Sequence, residues 1–87
     1  MEDMEISEQI ASAINLVLIE DGMLAAELSD ETLLGDIGLD SLGFAIVIAR
    51  LERVLGFDPF TEGAVKSYPL TFGDFVRIYS HFAGLQK

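Results

Sequence analysis

From Ile6 the apolar positions Ile10, Ile14, Val17 and Leu18 recur at intervals of three and four, interleaved with Glu8, Gln9, Ser12 and Asn15. That period gathers them on one side of an α-helix. It predicts an amphipathic helix that stops near Glu20-Asp21-Gly22, where the glycine suits a helix C-terminus. Residues 23–39 lose the period but keep Leu24, Leu28, Leu33 and Leu34. So many leucines predict a long loop pinned across the helices rather than a free linker. A second helix is predicted to open at Asp40 or Ser41. It continues through the apolar run 42–49 and Arg50, Leu51, Glu52, Arg53, Val54 and Leu55, and Gly56 stops it. Asp58-Pro59 breaks the chain, and residues 60–68 have room for one short helical turn. Thr71 with Asp74 three residues on forms a variant capping box. Phe72, Phe75, Val76, Tyr79 and Phe82 then give a third helix an aromatic face, which Gly84 is expected to end.

No alternation of period two persists, and no internal repeat interrupts this order. The expectation is an all-α bundle of three to four helices, with a long loop between the first two long ones. Phe44, Val47, Ile48, Leu51 and Leu55 are predicted to meet the aromatic face of the last helix, and Phe57, Phe60 and Tyr68 to pack beneath the turn, the alternative being that they line the approach to the head of the second helix.

The chain has 87 residues, of which 51% are hydrophobic. This predicts one domain over residues 1–87, with enough apolar surface for a core and too little interior for a deep catalytic cleft. With no cysteine and a single histidine, thiolate metal sites and disulfides are excluded, and few zinc or histidine-base arrangements remain. Residues 1–10 carry acids without a basic region, and the apolar run 16–19 is too short for a signal core or a membrane span. The expected location is the cytoplasm, with no metal and no membrane association.

Charge changes the picture further. Residues 1–49 hold eleven acids and no Lys or Arg, whereas residues 50–87 hold five basic residues and four acids. An acidic half of this kind repels nucleic acid and favours partners with basic surfaces, although solubility alone also accounts for it.

The segment richest in chemistry is Asp36-Ile37-Gly38-Leu39-Asp40-Ser41-Leu42. It delivers a serine hydroxyl to the start of a helix, where unpaired N–H groups and the helix dipole tolerate an anion. An ordinary N-cap pair is one reading of Asp40 and Ser41. A nucleophile elbow is another, but Leu39-Asp40-Ser41-Leu42-Gly43 lacks the first glycine, no sheet is predicted to support it, and His81 is the sole available base. A calcium loop starting at Asp36 would place Val47 where a glutamate is needed.

The run Asp-x-Gly-Leu-Asp-Ser-Leu at the mouth of a helix resembles the attachment motif of the acyl and peptidyl carrier protein family. The likeness extends to the helix order and to Thr71-Phe72-Gly73-Asp74-Phe75-Val76 at the start of the last helix. The resemblance implies a free-standing carrier that catalyses nothing itself. It implies that Ser41 bears a covalent 4'-phosphopantetheine from coenzyme A, presented by Asp40 and Leu42, which holds acyl or aminoacyl groups as thioesters. The implied partners are a phosphopantetheinyl transferase, an adenylating acyl or aminoacyl ligase and a downstream synthase or transferase, with the carrier a monomer. An unmodified helical interaction module of the same fold is the alternative.

One departure stands out. Carriers of fatty-acid synthesis place carboxylates along the helix headed by the motif, whereas here no acid lies between Ser41 and Leu51. Gly43, Ile46 and Ala49 either all belong to the core or form an apolar docking strip continued by Arg50 and Arg53; the strip is the expectation, because a helix apolar all round needs burial on every side, and it points to a partner in a specialised pathway.

Overall fold

The computed structural model describes residues 3–60 and 69–85. Its elements are α1 (Asp3–Glu20), a single 3-10 turn (Leu34–Ile37), α2 (Ser41–Leu55) and α3 (Phe72–Leu85). Among the described residues there is no strand, only an isolated bridge between Leu33 and Thr71. The all-α expectation holds. The short turn predicted within residues 60–68, and the packing of Tyr68, fall at 61–68, outside the described residues.

The apolar periodicity becomes the core directly. Ile6, Ile10, Ile14, Val17 and Leu18 of α1 are buried against Val47 and Leu51 of α2 and Phe72, Phe75 and Tyr79 of α3. Burying one such side chain contributes roughly 1.5–3 kcal/mol, so these stripes and not helix propensity hold the bundle. Phe44, Ile48 and Leu55 pack at the edge of this core as half-buried residues. Phe57 stacks on Tyr79 and Phe82 with ring centroids 5.9 and 5.3 Å apart. Phe60 meets Phe44 edge to face at 5.6 Å.

α1 starts at Asp3, before the first periodic position, and ends where Gly22 adopts a left-handed φ of 83°. α2 likewise ends on Gly56, at φ 87°. α3 does not stop at Gly84 but continues to Leu85, and Gly84 has no positive φ to break it.

The long loop is pinned, though largely by polar contacts. The Asn15 side chain accepts a hydrogen bond from the Ala26 N–H at 2.8 Å and donates one to the Ala26 carbonyl at 3.3 Å. Further on, the backbone docks on the entrance to α3. The Leu34 N–H donates to the Leu70 carbonyl, the Phe72 N–H to that of Thr32, and the Gly73 N–H to that of Asp30. Of the four leucines expected to hold the loop, Leu34 is buried and Leu28 packs against the core, but Leu33 is exposed and Leu24 is 89% exposed. The loop has sufficient backbone partners without them.

At the head of α3 the predicted capping pair is present and reciprocal. Thr71 Oγ1 accepts from the Asp74 N–H at 3.0 Å, and Asp74 Oδ2 accepts from the Thr71 N–H at 3.2 Å. Asp74 does the work usually given to glutamate. Among the described residues no helix is long and apolar enough to cross a membrane.

Candidate functional site

Ser41 is the first residue of α2 and is exposed. The residue before it, Asp40, has extended backbone (φ −88°, ψ −176°), and its Oδ1 accepts the Gly43 N–H at 2.7 Å. Asp40 is therefore the N-cap, a role worth about 1 kcal/mol to the helix. The cap and the attachment-like serine are thus two adjacent residues with separate tasks. The chain enters this cap through the 3-10 turn, which closes on Gly38 at φ 91°, a conformation open to glycine and costly for residues with a Cβ. Leu39 is buried and anchors the turn from below, while Leu42 is 71% exposed beside Ser41.

Gly43 is where the sequence reading needs correction. It is buried, and a Cβ there would stand 3.1 Å from Leu39 Cδ1 and 3.4 Å from Val17 Cγ1. It faces α1 and lets the head of α2 approach closely, so it offers no surface to a partner. Ile46 is half-buried against the core, and of the three only Ala49 is exposed. The proposed strip followed steps of three from Gly43. The face that contains Ser41 follows instead the steps of three and four that start from Ser41 itself, through Phe44 and Ala45, Ile48 and Ala49, to Glu52. Arg50 turns away to pair with Glu20 of α1 at 2.7 Å, and Arg53 is exposed. The two arginines therefore do not act alike.

Those residues form one wall of a groove of about 550 Å³ that opens at Ser41. The opposite side comes from Leu34 and Gly35 of the 3-10 turn, from Asp58 and Phe60 after α2, and from Pro69 and Leu70 before α3. Asp58 is 7% exposed, and its Oδ1 accepts the Phe60 N–H at 2.9 Å. Behind it lies Tyr79, fully buried, its hydroxyl without a hydrogen-bond partner among the described residues. Burial first, and then the nearby charges of Asp58 and Glu52, push the Tyr79 phenol well above its ordinary range. Of the residues on this side, Phe60 is one that the sequence allows either beneath the turn or on the approach to the serine, whereas Asp58, Pro69 and Leu70 had no such signal, because only tertiary contact brings them to the serine.

His81, the one histidine, is exposed on α3 and does not line the groove. Among the described residues there is no cluster of three or more side chains able to hold a metal.

A solution structure of MacpD, an acyl carrier protein from Pseudomonas fluorescens involved in mupirocin biosynthesis, superposes with a TM-score of 0.75. It is 30% identical in sequence and the match covers 88% of this chain and 69% of that one. The chain belongs to the acyl carrier protein family. The carrier is also 37% identical over 67 residues, 77% of its length, to the non-reducing polyketide synthase rads2 of Floropilus chiversii. It spans about 3% of the length of that synthase. No protein-family model matches it.

The geometry of this carrier fits a phosphopantetheine on Ser41. The hydroxyl is accessible, it heads a helix whose first N–H groups and dipole favour a phosphodiester, and the Asp40 carboxylate is turned into its own cap. The groove beside it is lined mainly by apolar side chains.

Proposed function

We propose that this protein, as a single domain over residues 1–87, carries acyl or aminoacyl groups as thioesters on a 4'-phosphopantetheine attached to Ser41. The observation that supports this most directly is the exposed Ser41 at the first position of α2, capped by Asp40 and opening on the groove. When bound, the prosthetic group supplies the thiol that forms the thioester. The chain's own contribution is presentation. Asp40 holds the first turn rigid, Leu39 anchors the entry from within the core, and Leu42 offers an apolar contact next to the serine.

The partners follow from this reading. A phosphopantetheinyl transferase delivers the group from coenzyme A, an adenylating ligase loads the cargo, and a synthase or transferase removes it. The relatives, a mupirocin-pathway carrier and a polyketide synthase, support a place in specialised biosynthesis. Docking falls on the exposed face of α2, through Leu42, Ala45, Ala49 and Arg53. Such a face depends less on salt than an acidic strip would, because charge contributes little of its binding energy.

The test is intact-protein mass after incubation with coenzyme A and a promiscuous phosphopantetheinyl transferase. The native chain gains one phosphopantetheine and Ser41→Ala gains none. A folded native sample that gains nothing with several transferases overturns the proposal.

A further inference from the structure

The C-terminal half of α1 carries large apolar side chains that the core does not use. Leu16 and Ile19, one turn apart, are 50% and 54% exposed, whereas Val17 and Leu18 between them are buried. Helical period separates the two pairs: Leu16 and Ile19 share a face with the exposed Ser12, away from the stripe that Ile14, Val17 and Leu18 give to the core. Polar residues ordinarily occupy such positions. The chain then adds to this face. It reverses at Gly22, where the Met23 N–H donates to the Leu18 carbonyl, and Ala26 is tied back to Asn15 by two hydrogen bonds. Residues 23–26 therefore run beside the last turns of α1, and Leu24 stands on this stretch almost fully exposed. Met23 joins it to the turn that leads to Ser41, since a Cβ on Gly38 would stand 2.7 Å from Met23 Sδ.

The surroundings of this apolar surface are acidic. Glu20 and Asp21 follow Ile19, Glu27 follows the tethered Ala26, and residues 1–49 hold no Lys or Arg. Among the described residues the ion pair at this end of α1 is that of Glu20 with Arg50, which leaves Asp21 and Glu27 without a counter-charge. Charge therefore selects the occupant. A second copy would set the same acids against these, between chains that each carry a formal charge of −10, and an anionic lipid surface would be repelled in the same way. An apolar centre bordered by Lys and Arg complements both the leucines and the acids.

We infer that Leu16, Ile19 and Leu24 form a docking surface, distinct from the exposed face of α2, for an amphipathic helix of a partner protein whose apolar stripe is flanked by Lys and Arg. The stripe packs on Leu16 and Ile19 as helices pack on one another, and the flanking cations meet Asp21 and Glu27. Binding at this surface weakens with salt, because part of it is attraction between exposed charges.

The experiment follows the amide NMR signals of the full chain, without a prosthetic group, as two synthetic helical peptides are added. Both have one leucine stripe, flanked in the first by lysines and in the second by glutamates. The lysine peptide is expected to shift the amides of Leu16, Ile19 and Leu24, and to bind at least about tenfold more weakly to the Leu16→Ser, Ile19→Ser double variant. Raising salt from about 0.05 to about 0.5 M should weaken it as well. Both side chains are exposed, so the double variant should melt within about 2 °C of native, and Leu24→Ser in the loop tests the same surface independently. Unchanged affinity in these variants, shifts centred on Ala45 and Ala49 of α2, or equal binding of the glutamate peptide overturns the inference. So does self-association through the same amides, or binding of phosphatidylglycerol vesicles in preference to the lysine peptide. Because the chain carries no arm in this experiment, none of these results bears on the carrier reading of Ser41.

Discussion

A Cβ placed on Gly73 would stand 2.7 Å from the carbonyl oxygen of Asp30, the same oxygen that accepts the Gly73 N–H at 3.1 Å. The long loop thus touches α3 backbone to backbone, and the adjoining hydrogen bonds from Leu34 and Phe72 set the side of the groove formed by Leu34, Pro69 and Leu70. Gly73→Ala is expected to push the loop off α3 and to lower stability by roughly 1–3 kcal/mol, as overpacking does elsewhere. Denaturant unfolding measures this. Amide exchange should be faster at Leu34 and Phe72 than in the native chain, since both lose part of their support.

Gly43 and Ala49 were grouped together in the sequence but have different neighbours. Gly43→Leu would drive a large side chain into Leu39 and Val17, so its effect should be on stability, read as a lower melting temperature. Ala49→Glu changes an exposed residue and should leave the melting temperature within about 2 °C of native. Its expected effect is on the rate of transfer to or from a partner enzyme.

Asp40→Ala removes the N-cap and should cost about 1 kcal/mol by thermal or denaturant unfolding. Phosphopantetheinylation of Ser41 is expected to slow more than this loss of stability explains, because the first turn of α2 frays where the transferase must engage it. Asp40→Asn, which keeps a capping oxygen, should restore most of the stability.

The Asp74 carboxyl is held below its ordinary value of 3.8, first by its hydrogen bond to Arg77 and then by the Thr71 N–H. A depressed folded value contributes stability that is present above the unfolded value and lost as pH falls through the folded one. The head of α3 should therefore keep its cap at pH 5 and lose it below about pH 3.8, the window in which Asp74→Ala and native chains converge in stability. Amide exchange at Phe72 through Phe75 across this range provides the measurement.

Tyr79 has the opposite dependence. Its folded phenol titrates above its ordinary value of 10.0, because burial disfavours the charged form and Asp58 and Glu52 add to the penalty. Its contribution to stability is complete below pH 10 and declines as pH rises past that value, where only the unfolded chain ionises. Tyr79→Phe should lessen the loss of stability at high pH. At neutral pH it should change stability by less than about 1 kcal/mol, since the hydroxyl it removes has no partner among the described residues.

Much of this protein was legible from residue order. The apolar stripes of α1 and α3, the glycine stops at 22 and 56, the reciprocal Thr71 and Asp74 cap and the serine at the head of α2 are local features. They depend on helical period and on groups within a few residues of one another, and so the sequence by itself determined them. Which side of α2 is free depends instead on where α1 and α3 lie. Gly43 pointed inward because Val17 was there to receive it, and Arg50 left the docking face because Glu20 drew it away. The groove was decided in the same manner. Asp58, Phe60, Pro69 and Leu70 stand beside Ser41 through contacts between segments far apart in the chain, and no periodicity encodes a contact between separate elements.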